Sequence, residues 1–177
     1  MQRKIGRIVV RRAPGRASRG ILAAGLLRVP CAIGRSGTSI VKREGDGATP
    51  VASMAVLSAW HRPGRMVRPQ ARLPIRRIRQ DFDGWCDAPQ HAAYNRHVRL
   101  PFPASAESLA RADRLYDFVV VLDWNIRSRA RGRGSAIFLH IAKEDYPPTA
   151  GCVAVAPKDM LRLAPLLRRG SRVVVLR

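Results

Sequence analysis

Acidic residues are scarce in this chain: 12 aspartates and glutamates face 33 lysines and arginines, for a formal net charge of +21. A surface that lopsided attracts polyanions, whether nucleic acid, anionic lipid or anionic cell-wall polymer. Lysine itself is rare, confined to Lys4, Lys42, Lys143 and Lys158, so the base is almost all arginine. The first eighty residues carry most of it, because their only acids are Glu44 and Asp46. Cysteine is limited to Cys31, Cys86 and Cys152. An odd number so widely spaced excludes a disulfide framework and a zinc knuckle, leaves at least one free thiol, and gives no reason to expect a metal or another cofactor. Long apolar runs are missing too, which excludes a transmembrane helix. The N-terminus, Met1 to Arg7, is basic but leads only into Ile8-Val9-Val10 before more arginines. That is far short of a secretory apolar region, so a cytoplasmic location stays open.

What is present is ordinary globular material. At 177 residues the chain fits a single domain over 1–177 that buries a core without disulfides. β-Branched and alternating stretches predict strands over 5–12, 21–27, 28–33, 51–60, 116–122, 135–140 and 172–176. The segment 42–50, with two glycines and a proline, predicts a loop. Residues 61–80 hold Pro63-Gly64, Pro69 and Pro74 among many arginines, which predicts a basic irregular loop or arm. Asp81 to Asp87 and Tyr94 to Arg96 alternate aromatic with short polar residues and predict an ordered surface loop. Two short helices are expected. One runs over 106–116, capped by Ser105 with Leu109, Ala112 and Tyr116 on one face; the other starts at Pro157 and is limited to about two turns by Pro165. Many strands, many turns and two short helices make a mainly-β sandwich or barrel.

One stretch carries chemistry. Phe138-Leu139-His140 delivers a histidine at the end of an apolar run, the chain turns through Tyr146-Pro147-Pro148, and Thr149-Ala150-Gly151-Cys152-Val153 brings a cysteine directly after a glycine. A thiolate is the nucleophile, and free cysteine titrates near ~8.5, so a catalytic one needs a base beside it. His140 is the candidate base and later acid, Cys152 the candidate nucleophile. The amides of Gly151 and Cys152 are candidates for an oxyanion hole. Trp85, Tyr94 and Asn95 are candidate cleft residues, an anchoring role for the aromatics being about as reasonable.

These residues resemble the L,D-transpeptidase catalytic-domain family. His140 followed by Thr149-Ala150-Gly151-Cys152-Val153 looks like that family's histidine and Ser/Thr-His-Gly-Cys-Ile/Val segment, and Gly47-Ala48-Thr49-Pro50-Val51-Ala52 like its Thr-Pro turn. Ala150, Ala154 and Ala52 depart from the pattern, standing where a histidine, an Arg or Asn, and a glycine are usual. The resemblance implies a β-rich catalytic fold and peptidoglycan stem peptides as substrate. In the implied reaction Cys152 attacks a tetrapeptide carbonyl, D-alanine leaves, and an amine or water resolves the thioester. It also implies Thr149 as a substrate-binding residue and a place in the periplasm or cell envelope, where the basic charge of the chain would hold it on anionic wall polymer.

Other readings accompany these. A cysteine on an apolar strand is ordinarily a small buried hydrophobe. Cys31 and Cys86 read as structural, Cys86 the more exposed, and His61, His91 and His97 as solvated surface groups. The alternative function is a basic nucleic-acid-binding protein without catalysis, motivated by the charge of residues 1–80.

Overall fold

In the computed structural model, which describes residues 6–177, the chain is mainly β. The strands are β1 (Arg7–Arg12), β2 (Arg19–Ala24), β3 (Leu27–Ala32), β4 (Thr38–Ser39), β5 (Thr49–Pro50), β6 (Ser53–His61) and β7 (Ile75–Arg77). They continue as β8 (Asp83–Cys86), β9 (Arg96–Arg99), β10 (Ala106–Ser108), β11 (Phe118–Leu122), β12 (Phe138–Ile141), β13 (Val153–Val155) and β14 (Arg172–Val175). One helix, α1 (Pro157–Leu163), runs into a tight 3-10 turn at Ala164–Leu166. The expected beginning of the first strand at Ile5, and the basic residues before it, lie outside the described residues.

Pairing runs in the order β11-β12-β13-β3-β2-β1-β14-β6, and β6 pairs back onto β11, so eight strands close into a barrel. Closure follows from alternation. Ile8 and Val10 of β1, Leu22 and Ala24 of β2, Met54 and Val56 of β6, Leu139 and Ile141 of β12, Val153 and Val155 of β13, and Val173 and Val175 of β14 all point into one core. Period-2 patterning leaves the intervening residues on the outer wall. Met160, Leu163 and Leu167 join that core, so α1 and its 3-10 continuation cap it. Pro157 occupies the first turn of α1, where its missing N–H costs nothing.

A second layer lies outside the barrel. Strands β8, β9 and β10 form a three-stranded sheet. Trp85 from it, with Leu109 just beyond β10, packs on Trp60, Val119, Val121 and Phe138, the outward residues of β6, β11 and β12.

Three expectations are corrected here. No helix forms over 106–116: β10 begins the segment and turns complete it. Ser108 Oγ accepts the amide of Ala110, and Asp113 Oδ1 accepts both the Arg111 guanidinium and the Leu115 amide. These short-range side-chain bonds compete with helical ones. Asp83 to Cys86 is a wholly buried strand rather than a surface loop, and Cys86 is fully buried. Nor are His61 and His97 solvated. His61 is buried against Met66 O, while His97 stacks 4.7 Å from Trp60 and pairs at 2.8 Å with Asp83, which also takes Arg79.

Candidate active site

β12 and β13 are parallel neighbours with Leu139 opposite Val153 and His140 opposite Ala154. Since Leu139, Ile141, Val153 and Val155 face the core, Phe138, His140, Cys152 and Ala154 share the outer wall. One strand over and two residues along, His140 and Cys152 have backbones about 8 Å apart. Both line a cleft of about 380 Å³, with Thr149 also in its wall.

Local geometry fixes the nucleophile. Gly151 has φ +141, and a Cβ there would lie 2.9 Å from Ala48 O. Only glycine suits that combination of backbone angle and close approach. The close approach is therefore to the chain's own Gly47-Ala48-Thr49 turn. Thr149 completes the support: its hydroxyl accepts the Gly151 amide at 3.1 Å and donates to Cys152 O at 2.7 Å. Thr149 also bridges to Gly34, with its amide donating to Ile33 O and its carbonyl accepting from the Arg35 amide. In this geometry Thr149 holds the loop before Cys152, and the Gly151 amide already has a partner that an oxyanion would have to replace.

The thiol is engaged as well. Cys152 Sγ donates to Ala136 O at 3.1 Å and accepts the Phe138 amide at 3.3 Å. Burial pushes the thiol up to about 12, against the smaller opposing effect of the Phe138 amide. His140 Nδ1 lies 2.8 Å from Ile141 O. A carbonyl only accepts, so Nδ1 carries the proton and Nε2 is left as the basic nitrogen. Burial draws the imidazole down to about 4, despite the Ile141 carbonyl. Thiol and imidazole are thus both neutral at rest, and neither hydrogen-bonds the other among the described residues. The imidazole packs edge-on at 5.3 Å against Tyr116.

Charged side chains complete the cleft. Arg111 makes paired 2.9 Å bonds to Asp113 and a further bond to Glu107, whose second oxygen accepts the Tyr116 hydroxyl at 3.0 Å. Burial raises Glu107, and Asp87 nearby adds repulsion against the pull of Arg111 and Tyr116. Lys42, on the other rim, is 4% exposed and pairs with Asp46 at 2.6 Å. The Asp46 carboxyl is lowered despite burial, through its bonds to Lys42 and to the amides of Arg43 and Ala48.

Trp85, Tyr94 and Asn95 stand behind the cleft and do not line it. Trp85 Nε1 donates to Asn95 Oδ1 at 3.0 Å, the same oxygen accepts the Ala136 amide at 3.0 Å, and Asn95 Nδ2 donates to Trp124 O. Tyr94 donates to Glu44 of the opposite rim. Asn95 is fully buried with its amide satisfied, and through Ala136 it sets the carbonyl that takes the Cys152 proton. Sequence reasoning missed Ala136, Lys42, Glu107, Arg111 and Tyr116. Tyr116 and Arg111 lie in the misassigned helix, and nothing local marks Ala136, which sits at φ +50 with a partner 41 residues away.

A family model described as the L,D-transpeptidase catalytic domain matches residues 7–175, from β1 to β14. No curated protein and no solved structure matches the chain.

Proposed function

The chain belongs to the L,D-transpeptidase catalytic-domain family, and from that membership we propose that it is a cysteine acyltransferase of peptidoglycan, working as one catalytic unit in the cell envelope. The observation that carries this reading is the placement of Cys152 and His140 on the outer wall of adjacent parallel strands, in one cleft. A tetrapeptide stem occupies the cleft with its diaminopimelate carbonyl at Sγ. The thiol rotates off Ala136 O and gives its proton to His140 Nε2 as sulfur attacks. The developing oxyanion takes backbone amides at Gly151 and Cys152, Gly151 exchanging its bond to Thr149. His140 then protonates the leaving amine of D-alanine, leaving a Cys152 thioester. A neighbouring stem's amine, or water, resolves it and returns the thiol.

Substrate does more here than present a carbonyl. Both resting groups are neutral, so binding must displace the Ala136 contact before the base can act. The test is incubation with tetrapeptide muropeptides followed by mass spectrometry of the intact protein and of its Cys152 peptide. An acyl adduct on Cys152 with D-alanine release is the expected result. Absence of both, with a donor that a known family member consumes, overturns the reading.

A further inference from the structure

The barrel has a second distinctive face, diametrically opposite the cleft. In the ring of eight strands β1 stands four places from β12 in either direction. Pairing registers lay out the residues that β3, β2, β1, β14 and β6 turn outward. Arg28, Ala23, Val9, Val174 and Ser53 form one row across all five strands. Pro30, Ile21 and Arg11 form the row on one side of it, and Arg7, Arg172 and Ala55 the row on the other. The centre is therefore small and apolar, and arginines rim it. Ile21 is 46% exposed, and Leu26, at the turn between β2 and β3, is fully so.

The solvent side of a barrel wall is ordinarily polar. This one holds no acidic residue in any of its five strands, and among the described residues none of Arg7, Arg11, Arg28 or Arg172 takes part in an ion pair. Uncompensated positive charge calls for an anionic partner. Its character follows from what accompanies the charge. None of the residues in these three rows is aromatic, so none stacks on a base or a sugar, and Ser53 alone among them has a hydroxyl, whose oxygen already accepts from Arg172 Nε. An apolar stripe on the convex wall, centred on β1 and flanked by arginines, instead suits a lipid interface, where the stripe enters the headgroup boundary and guanidinium groups reach phosphates.

We propose that this face docks the protein on anionic phospholipid. Each arginine at such a surface contributes about 1 kcal/mol, so two are worth roughly 30-fold in affinity. Docked this way, the cleft on the far side of the barrel points away from the lipid and stays open.

The experiment is co-sedimentation of the full chain with extruded phosphatidylcholine vesicles, with and without phosphatidylglycerol, at near-physiological salt. Binding at least ten-fold stronger to the anionic vesicles is expected, with Arg11→Glu/Arg28→Glu losing at least ten-fold of it. Arg127→Glu/Arg131→Glu makes the same change in net charge away from the face and should keep most of the binding. Ile21→Asn should weaken binding without changing charge, and circular dichroism verifies that each variant is folded. Equal loss in the two double variants, equal binding to neutral vesicles, or retention on RNA or on sacculi with none on vesicles would each overturn the proposal. Cys152→Ala should bind vesicles as the parent does, which separates this result from the fate of the catalytic reading.

Discussion

At the scale of single residues, the resting site stores its reactivity instead of displaying it. A cysteine pushed up to about 12 holds almost no thiolate at neutral pH. Iodoacetamide should therefore alkylate Cys152 roughly a hundred-fold more slowly than it alkylates a free cysteine peptide at pH 7, and the rate should climb past pH 10 without levelling. Peptide mapping by mass spectrometry follows it site by site, and a plateau near the ordinary thiol range would contradict the buried, hydrogen-bonded thiol. His140 gives a second handle. Its folded value of about 4 lies below the ordinary 6.5, so the unfolded chain binds the proton first as pH falls. The contribution of neutral His140 is complete above about pH 6.5 and drains away between there and about pH 4. Acidifying from pH 7 to 5 should cost about 1–2 kcal/mol through this group, and His140→Gln should flatten that part of the pH profile measured by urea unfolding.

Elements decide which of these residues could be foreseen. The strands around the core were legible from apolar runs and alternation: 116–122 contains the wholly buried β11, an unbroken apolar run, 172–176 contains β14, and Pro157 and Pro165 bound α1 as expected. His140 and Cys152 were legible as a pair for the same reason, one delivered by a strand and the other by the turn before the next. The second layer was not. Asp83 looks like a loop residue until Arg79 neutralises it and His97 hydrogen-bonds it inside the structure, and Leu109 and Tyr116 have helical spacing yet reach one apolar cluster from a turn-rich segment. Asn95 belongs to this layer and shows what it does for the site. Asn95→Ala strands the Trp85 indole N–H and the Ala136 amide, two buried donors. Unfolding in denaturant should show a loss of about 2–4 kcal/mol, and alkylation of Cys152 in the folded variant should speed up as the Ala136 carbonyl loosens.

For the molecule as a whole, charge is the dominant fact. With +21 to confine and few acids to offset it, the folded state repels itself. Raising sodium chloride from about 10 to 300 mM shortens the Debye length from about 30 Å to below 8 Å, so the melting temperature should rise by several degrees in a thermal scan. A flat or falling trend would mean that the arginines are already compensated. Closure of the barrel has a consequence of another kind. Eight strands joined in a ring leave little edge onto which a neighbouring chain could add a strand: β3 meets β13 only where Ala32 pairs with Ala154, the rest of that edge carries Arg28 and Pro30, and the strands left outside the ring are short. Of these, β7 carries Arg76 and Arg77, and β9 carries Arg96 and Arg99. Like charges brought edge to edge repel, so the route by which β proteins assemble into fibrils is closed by topology around the core and guarded by arginine where topology leaves it open.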